Sequence, residues 1–358
     1  MFNNIYHGKR ILVTGHTGFK GGWLSLWLQS LGADVTGYSL APTTIPNLFT
    51  VAGVQDKVTS IIADIRDKEA LFKAFNQHKP EIVFHLAAQA LVRPSYSDPV
   101  ETYETNVMGT VNVLEACRLN PSVRAVVNVT SDKCYENTGK VGGYVENDKM
   151  GGFDPYSASK GCSELVTQSY LQSFFNPDDY TKHGVAIASA RAGNVIGGGD
   201  WGVDRLIPDC IKAFTEKKEI MIRYPNATRP WQHVLEPLYG YLLLAQHLYE
   251  GKGRYMGGWN FGSDDENSKP VHWIVDKIVE LWGEDLSWTT HDGPHLKEAN
   301  ILTLNCSKAK EQLHWESKYD LETALKNTID WYKAFRDKKD MAEYTLGQIN
   351  AYKFNHSS

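Results

Sequence analysis

The sequence is poor in residues that would cross-link the chain or hold a metal ion. Its five cysteines, Cys117, Cys134, Cys162, Cys210 and Cys306, are widely spaced, and none belongs to a CxxC motif or a Cys/His ligand pair. This spacing argues against a disulfide framework and a structural zinc site, and it is typical of proteins in a reducing cytosol. We therefore predict a cytoplasmic protein without a metal site.

Long apolar runs and blocks of one charge are also missing. Near the N-terminus only Ile11–Val13 is continuously apolar before Thr14, which is too short for a signal peptide, and no later stretch is long enough to span a bilayer. The 37 basic and 42 acidic residues are mixed along the chain and give a formal net charge of −5. No basic block indicates a nucleic-acid-binding face. We expect neither a membrane nor a nucleic acid as a partner.

The sequence does contain strand patterns that alternate with helical patterns. The predicted strands are Arg10–Thr14, Val35–Tyr38, Val58–Ala63, Ile82–Ala87, Ala125–Thr130 and Val185–Ala190. Such alternation predicts an α/β fold with a doubly wound parallel sheet, of the Rossmann type that binds dinucleotides. We assign 1–193 to this lobe, with 232–258 returning to it. Residues 194–231 and 259–335 are predicted to form a smaller mixed α/β substrate-binding lobe, and 336–358 a peripheral tail.

A glycine-rich loop, Gly15–Gly21, follows the first strand and opens a helix. Its GxxGxxG spacing lets backbone N–H groups approach a pyrophosphate at the helix N-terminus. His16 and Lys20 in this loop either face solvent or contact a phosphate. The second strand ends in Ser39, where a ribose-binding carboxylate is common, and no arginine follows to hold a 2′-phosphate, so NAD is predicted over NADP. Asp64, after the third strand, either faces the adenine or caps the next helix.

Three further residues predict alcohol oxidation. Tyr156 and Lys160 lie one helical turn apart, and Ser131 follows a strand 25 residues before Tyr156. A neighbouring ammonium lowers the pKa of a phenol, and the phenolate then takes a proton from an alcohol while hydride leaves the same carbon. A serine at the end of the strand is placed to hydrogen-bond the same alcohol.

Together these motifs resemble the extended short-chain dehydrogenase/reductases. The matching segments, in family order, are Gly15–Gly21, His85–Ala88, Asn106, Ser131, Tyr156–Lys160 and Arg191–Val195. Within this family the chain is most similar to the nucleotide-sugar 4,6-dehydratases, through His16, Thr130–Tyr135 and Thr228–Pro237. The resemblance implies a cytidine-linked sugar as the substrate and tightly held NAD as the cofactor.

The resemblance also implies the binding residues. For NAD they are Gly15, His16, Gly18, Phe19, Lys20, Gly21, Ser39, Asp64, Ile65, Leu86, Ala87, Ala88, Asn106, Val129, Tyr156 and Lys160. For the nucleotide sugar they are Gln89, Asn194, Arg205 and Arg229, and arginine suits a diphosphate well. The family pattern further implies a homodimer or a dimer of dimers. In it, helices following Asn106 and Tyr156 pack against the partner through Val107, Val111, Leu114, Leu165 and Tyr170.

The reaction implied by the resemblance has three stages: oxidation at C4, loss of water across C5–C6, and return of the hydride to C6. Tyr156 takes the proton of the 4-hydroxyl, and Asp132 protonates the departing 6-hydroxyl. The thymidine-linked sugar dehydratases place a glutamate next as the C5 base, whereas this chain has Lys133. Lys133 acts as that base, with a lowered pKa, or as a cation that stabilises the enolate, or it is a surface lysine that only flanks the site.

Two other functions fit parts of the same pattern. A nucleotide-sugar 4-epimerase would share every cofactor motif but would not need Asp132 and Lys133. A non-catalytic regulator that senses a dinucleotide would be free to lose Tyr156 or Lys160, and both are present. The product mass separates the first alternative, because only the dehydratase removes water.

Overall fold

The computed structural model describes residues 2–263, 267–283, 287–290 and 302–355. The parts of the predicted substrate-binding lobe and of the predicted tail that fall in the gaps lie outside the described residues.

A seven-stranded parallel sheet forms the centre of the molecule. The strands of the described residues, which include those of two smaller sheets, are β1 (Arg10–Thr14), β2 (Asp34–Ser39), β3 (Thr59–Ile62), β4 (Ile82–His85), β5 (Ala125–Val129), β6 (Ala186–Ala192), β7 (Asn194–Ile196), β8 (Ile220–Ile222), β9 (Thr228–His233), β10 (Gly257–Phe261), β11 (Ser268–Pro270) and β12 (Trp288–Thr290). The central sheet has the order β10-β6-β5-β4-β1-β2-β3, and all its pairs are parallel. The chain reverses its direction of winding at β1 and β4, as in a doubly wound fold. The predicted fold class is confirmed.

Helices cover both faces of this sheet. They are α1 (Phe19–Ser30), α2 (Leu48–Val51), α3 (Lys68–His78), α4 (Val92–Ser97), α5 (Pro99–Tyr103), α6 (Gly109–Leu119), α7 (Pro155–Ser173), α8 (Tyr180–His183), α9 (Leu206–Glu216), α10 (Leu235–Glu250), α11 (Val271–Trp282), α12 (Ser307–Leu313), α13 (Leu321–Arg336) and α14 (Met341–Asn355). Successive strand residues point to opposite faces. Accordingly Ile11 and Val13 join one apolar core with α1 and α10, while Leu12 joins a second core with α3 and α6.

The predicted boundary between the two lobes differs from the position of strand β10 in the structure. Strand β10 pairs with β6 in parallel, and its Trp259 and Phe261 are buried. The boundary predicted between 258 and 259 therefore falls inside a strand of the central sheet. The glycines Gly257 and Gly258 mask the strand pattern in the sequence, because they contribute no side chain to an alternating pattern.

Two small sheets follow β6. One has the order β11-β9-β7 and the other pairs β12 with β8. Gly193 alone separates β6 from β7, so the chain passes directly from the end of the central sheet into the first small sheet. This connection places the smaller sheets beyond the carboxyl edge of β6.

The predicted tail is not peripheral over the residues that the structure describes. Residues 341–355 form α14, in which Met341, Ile349 and Tyr352 are buried. The hydroxyl of Tyr352 donates a 2.8 Å hydrogen bond to the carboxylate of Glu236. Glu236 lies on α10 and also accepts a hydrogen bond from the backbone N–H of Tyr319 at 2.8 Å. Burial raises the pKa of Glu236 to about 7. The tail is therefore part of the core.

We predict that Tyr352→Phe destabilises the protein by about 1–3 kcal/mol, because it removes a donor from a buried carboxyl group. Chemical denaturation measures this loss. Tyr344→Phe on the same helix is the matched control, since Tyr344 is only partly buried. Equal stabilities of the two variants would contradict the role of the Tyr352 hydroxyl.

Candidate active site

The end of β5 carries the first residues of the site. Directly after this strand, Asp132–Cys134 forms a short 3₁₀ turn, and the Ser131 hydroxyl caps it by accepting a 3.2 Å hydrogen bond from the Lys133 N–H. Ser131 and Asp132 are 6% and 5% exposed, whereas Lys133 is half-buried. Carboxyl ends of parallel strands are where ligands bind in open α/β sheets. The turn therefore presents three functional side chains at that edge.

Helix α7 brings the remaining catalytic candidates to the same place. Asp154 caps its N-terminus by accepting from the Ser157 N–H at 2.9 Å. On the first turn, Tyr156 lies close enough to Ser131 for the serine to oppose the rise in its pKa, and the Ser131 hydroxyl donates to Oδ1 of Asp132 at 2.9 Å. The structure thus brings Tyr156, Ser131 and Asp132, three of the residues predicted from sequence, close together.

Burial shifts the pKa values of both Tyr156 and Lys160. Burial raises the pKa of Tyr156 to about 12, against the opposing effects of Ser131 and Arg205. The Lys160 ammonium donates to the Val129 carbonyl at 3.4 Å. Burial lowers the pKa of Lys160 to about 8. Desolvation is the largest influence on the Tyr156 pKa, and the effect of Lys160 on the phenol stays a prediction.

The glycine loop meets the steric demands of a dinucleotide site. Gly15 has φ +79°, and a Cβ there would lie 2.8 Å from the backbone nitrogen of Ala87. A Cβ on Gly21 would lie 2.1 Å from the carbonyl oxygen of Gly15. Helix α1 begins at Phe19, and Gly18 at its N-cap offers no side-chain acceptor. The first N–H groups of α1 are thus left for an anionic ligand, which fits a pyrophosphate.

His16 and Lys20 are the two side chains of this loop for which both solvent exposure and phosphate contact were considered. The His16 ring is buried beside Gly37, and its Nε2 lies 2.7 Å from the Ser60 hydroxyl. Burial lowers the pKa of His16 to about 4, so the ring is neutral at neutral pH. Burial, followed by the charge of Arg205, lowers the pKa of Lys20 to about 8. Solvent exposure is therefore the wrong interpretation for His16, and Lys20 lies within electrostatic range of Asp132.

The predicted adenosine end of the site has no free carboxylate. Asp64 forms an ion pair with Arg66 at 2.6 Å, and this bond lowers the pKa of Asp64. The helix cap is instead Asp67, which accepts from the Ala70 N–H at 3.0 Å. The Ser39 hydroxyl lies 2.9 Å from the Thr17 hydroxyl. Capping is thus the wrong interpretation for Asp64, which is already paired with a cation.

Asn106 fixes the loop after β4. Its amide oxygen accepts from the Gln89 N–H at 2.8 Å, and its amide nitrogen donates to the Ser159 hydroxyl at 2.8 Å. The predicted cofactor residues Leu86–Ala88 lie just before Gln89, and the N–H groups of Leu86 and Ala87 each donate to the Thr14 hydroxyl at 3.1 Å. The side chain of Gln89 is bonded locally, to Thr102 at 3.0 Å. Asn106 therefore joins this loop to α7.

Three of the four predicted substrate residues, Asn194, Arg205 and Arg229, lie beyond β6. Asn194 opens β7 and pairs with Trp231 of β9, while Arg229 lies on β9 opposite Lys269. Arg205 forms a 2.8 Å ion pair with Asp200 and lies close enough to Tyr156 to lower its pKa in part. The structure thus places Arg205 near the catalytic tyrosine.

A buried ion pair supports the site, and the sequence analysis missed it. Glu164 binds Arg191 through two bonds, Nε at 2.9 Å and the terminal nitrogen at 2.7 Å. Its carboxylate also accepts from Ser189 at 2.5 Å and from Thr130, the residue before Ser131. The signal in the sequence is spacing, because Glu164 lies one turn after Lys160. This pair ties α7 to both β5 and β6.

The sequence of this chain matches a known protein family. The sequence model of the GDP-mannose 4,6 dehydratase family matches residues 12–328. The chain belongs to this family. A relative from Salmonella typhimurium LT2, CDP-glucose 4,6-dehydratase, is 53% identical over 349 residues, which cover 98% of this chain and 97% of that protein. The predicted resemblance to the dehydratases is confirmed.

More distant matches include a sequence relative and two solved structures with the same fold. The dTDP-glucose 4,6-dehydratase of Xanthomonas campestris strain ATCC 33913 is 27% identical and covers 90% of this chain and 92% of its own length. The crystal structure of dTDP-glucose 4,6-dehydratase from Bacillus anthracis in complex with NAD superposes with a TM-score of 0.74 and 25% identity, over 92% of this chain and 98% of that chain. A UDP-glucose 4-epimerase from Thermotoga maritima has a TM-score of 0.76 at 23% identity, over 91% and 99% of the two chains, and this likeness shows the fold alone.

We predict that Glu164→Gln lowers the free energy of unfolding by about 3–5 kcal/mol, because it leaves the guanidinium of Arg191 buried without its counterion. Denaturant titration measures the loss. Asp179→Asn is the control: it breaks the exposed ion pair with Lys182, and exposed pairs contribute little. Equal effects of both changes would show that the buried pair adds nothing particular to stability.

Proposed function

We propose that this protein is an NAD-dependent nucleotide-sugar 4,6-dehydratase, which converts CDP-D-glucose to CDP-4-keto-6-deoxy-D-glucose and water. The observation that carries this function is the buried cluster of Tyr156, Ser131 and Asp132, which puts a phenol and a carboxyl group near each other at the carboxyl edge of the sheet. The 53% identity to the Salmonella dehydratase over 98% of the chain supports the choice of substrate.

The glycine loop and the loop after β4 hold the cofactor in this proposal. When bound, NAD accepts a hydride from the sugar and later returns it. The N–H groups at the start of α1 bind its pyrophosphate, and Gly15 and Gly21 let the backbone approach it closely. Asn106 keeps Leu86–Ala88 in position, and Ser39 takes the place at the end of β2 where related sites have an acidic residue.

The carboxyl edge of the sheet carries out the proton transfers. Tyr156 and Ser131 hydrogen-bond the 4-hydroxyl during oxidation, and the ammonium of Lys160 stabilises the negative charge that develops nearby. Asp132 protonates the 6-hydroxyl as it leaves, because a hydroxide ion is a poor leaving group. An epimerase needs no such acid, so the placement of Asp132 favours dehydration.

Two roles fit Lys133, which follows Asp132 in the turn. As an amine it would remove the C5 proton, and as an ammonium it would stabilise the enolate that forms after that proton leaves. Asn194, Arg205 and Arg229 are proposed to bind the diphosphate of the nucleotide. Arg205 is already paired with Asp200, so the diphosphate would share this cation with the carboxylate.

The function is tested by incubating the purified protein with CDP-, dTDP-, UDP- and GDP-glucose and measuring product mass. We expect loss of water from CDP-glucose, and Tyr156→Phe should reduce this turnover by several powers of ten because only the ionisable oxygen is removed. Circular dichroism controls for folding. A change at C4 without a change in mass would establish the epimerase instead, and near-normal turnover by the variant would refute the role of Tyr156.

We also propose that the protein is a homodimer or a dimer of dimers. Helices α6 and α7 lie side by side, and Val100, Met108 and Leu165 near them are 65%, 52% and 61% exposed. An apolar face of this kind is typical of a subunit interface. Leu165 is one of the residues predicted for the interface. Leu114 was also predicted, but it is only 1% exposed within the core, so the proposed interface does not include it.

We predict that Leu165→Asp halves the mass measured by light scattering, since it puts a charge into the proposed interface. Val141→Asp is the matched control, because Val141 is 96% exposed at a different place in the chain. A wild-type protein that is monomeric at micromolar concentration would contradict the proposal.

The biological setting follows from the product class. We propose that a 4-keto-6-deoxy sugar nucleotide serves deoxysugar biosynthesis for surface polysaccharide, such as lipopolysaccharide O-antigen, and that the reaction takes place in the cytoplasm. All five cysteines are free thiols, as a reducing compartment requires. Within the described residues, no helix is both long and apolar enough to cross a membrane.

A further inference from the structure

One aspartate connects the central sheet to a smaller sheet at a place that solvent reaches. Oδ1 of Asp204 accepts a hydrogen bond from a terminal nitrogen of Arg93 at 3.1 Å and from a terminal nitrogen of Arg223 at 3.0 Å. Arg93 lies on α4, which follows β4 of the central sheet, whereas Arg223 directly follows β8 of a smaller sheet. The three side chains are between 24% and 37% exposed. We call Arg93, Asp204 and Arg223 the clasp.

The clasp lies beside the catalytic cluster. Two residues after Arg93, the Ser95 hydroxyl accepts a 3.1 Å hydrogen bond from the backbone N–H of Tyr156, so α4 contacts the start of α7. On the other side of the clasp, Arg205 directly follows Asp204 and lies within electrostatic range of Tyr156. Both ends of the clasp are therefore tied to the region in which the sugar nucleotide is proposed to bind.

The segment that carries Asp204 is firmly anchored only where it begins. The carbonyl of Gly198 accepts a 2.9 Å hydrogen bond from the indole N–H of Trp23, and the carbonyl of Asp200 accepts one from the Tyr332 hydroxyl. Both donor side chains are buried. Asp204, by contrast, is exposed and has a left-handed backbone with φ +59°, which residues other than glycine adopt less readily. The two ion pairs thus help to hold Asp204 in place, and breaking them releases this part of the segment.

The charges around the clasp suit an anionic ligand. Two guanidinium groups share one carboxylate oxygen, so a positive charge remains uncompensated between them. Asp209 and Lys212 on α9 lie within electrostatic range of one another and of both arginines, and their own charges cancel. Guanidinium groups bind phosphate oxygens with matching geometry. A diphosphate carries more negative charge than the single carboxylate of Asp204, and it can therefore replace that carboxylate between the arginines.

We propose, resting on the dehydratase function above, that the diphosphate of the nucleotide sugar displaces Asp204 from the clasp and binds Arg93 and Arg223 in its place. In the free protein Asp204 occupies the two arginines and keeps α4 close to the end of β8. When the nucleotide binds, its phosphate oxygens take over both guanidinium groups, and the released segment around Asp204 moves aside. The exchange replaces one set of ion pairs by another, and no covalent bond or proton changes place.

The exchange is tested by calorimetric titration of CDP into the protein saturated with NAD. Asp204→Asn removes the competing charge, so CDP should bind about three- to tenfold more tightly, as expected for the loss of two partly exposed ion pairs. Arg93→Gln and Arg223→Gln should each weaken CDP binding by about tenfold, because each removes a charged donor to phosphate. Cytidine, which has no phosphate, should bind all four proteins equally. Circular dichroism checks that each variant is folded.

Asp209→Asn is the matched control for the displaced carboxylate. Asp209 lies within electrostatic range of the same two arginines, but within the described residues it makes no hydrogen bond to either. If removal of any nearby negative charge were enough, Asp209→Asn would tighten CDP binding as much as Asp204→Asn does, and the clasp would be refuted. Unchanged or weaker CDP binding by Asp204→Asn would refute it too, as would normal binding by both arginine variants.

Turnover of CDP-glucose separates the clasp from the function on which it rests. In Arg93→Gln and Arg223→Gln, KM should rise by more than kcat falls, since the exchange concerns nucleotide binding. A loss confined to kcat in both variants would contradict the exchange. A wild type that shows the expected changes in CDP binding but removes no water from CDP-glucose would support the clasp and refute the dehydratase function.

Discussion

The buried carboxylate of Glu164 is the constraint on which the site depends. It accepts hydrogen bonds from Thr130 at the end of β5 and from Ser189 and Arg191 on β6, and it belongs to the helix that carries Tyr156 and Lys160. A charge in this position must be fully paired, because an unpaired buried carboxylate is very costly. Satisfying Glu164 therefore fixes the helix relative to both strand ends, and the distances among the catalytic groups follow from that.

Burial of this cluster also determines its acid–base behaviour. The pKa values of Tyr156 and Lys160 on α7 are both shifted in favour of the neutral forms, because desolvation disfavours a charged phenolate and a charged ammonium alike. Desolvation, as the largest influence on each group, therefore sets the resting pKa values of both.

The sequence predicted the parallel sheet, and it picked out Ser131, Asp132 and Tyr156, which the structure brings together, because both have strong local signals. Buried strands such as Ile11–Val13 are continuously apolar, and the spacing of Tyr156 and Lys160 corresponds to one helical turn. Strand β10 and helix α14 were missed because glycines or polar residues hide their patterns, and only tertiary contacts show that Trp259 and Tyr352 are buried. The pKa of Tyr156 also depends on total burial, which no short segment of sequence encodes.

The bond between Tyr352 and Glu236 has a consequence for biosynthesis. The two residues are 116 positions apart, so α10 is made long before its partner on α14. At about 5–20 residues per second, the ribosome needs roughly 6–23 s to add the intervening chain. During that interval the nascent protein carries a carboxyl group in a half-formed core without the tyrosine that later binds it. The core around α10 is therefore completed only after α14 has been made, although the central sheet is already synthesised through β6.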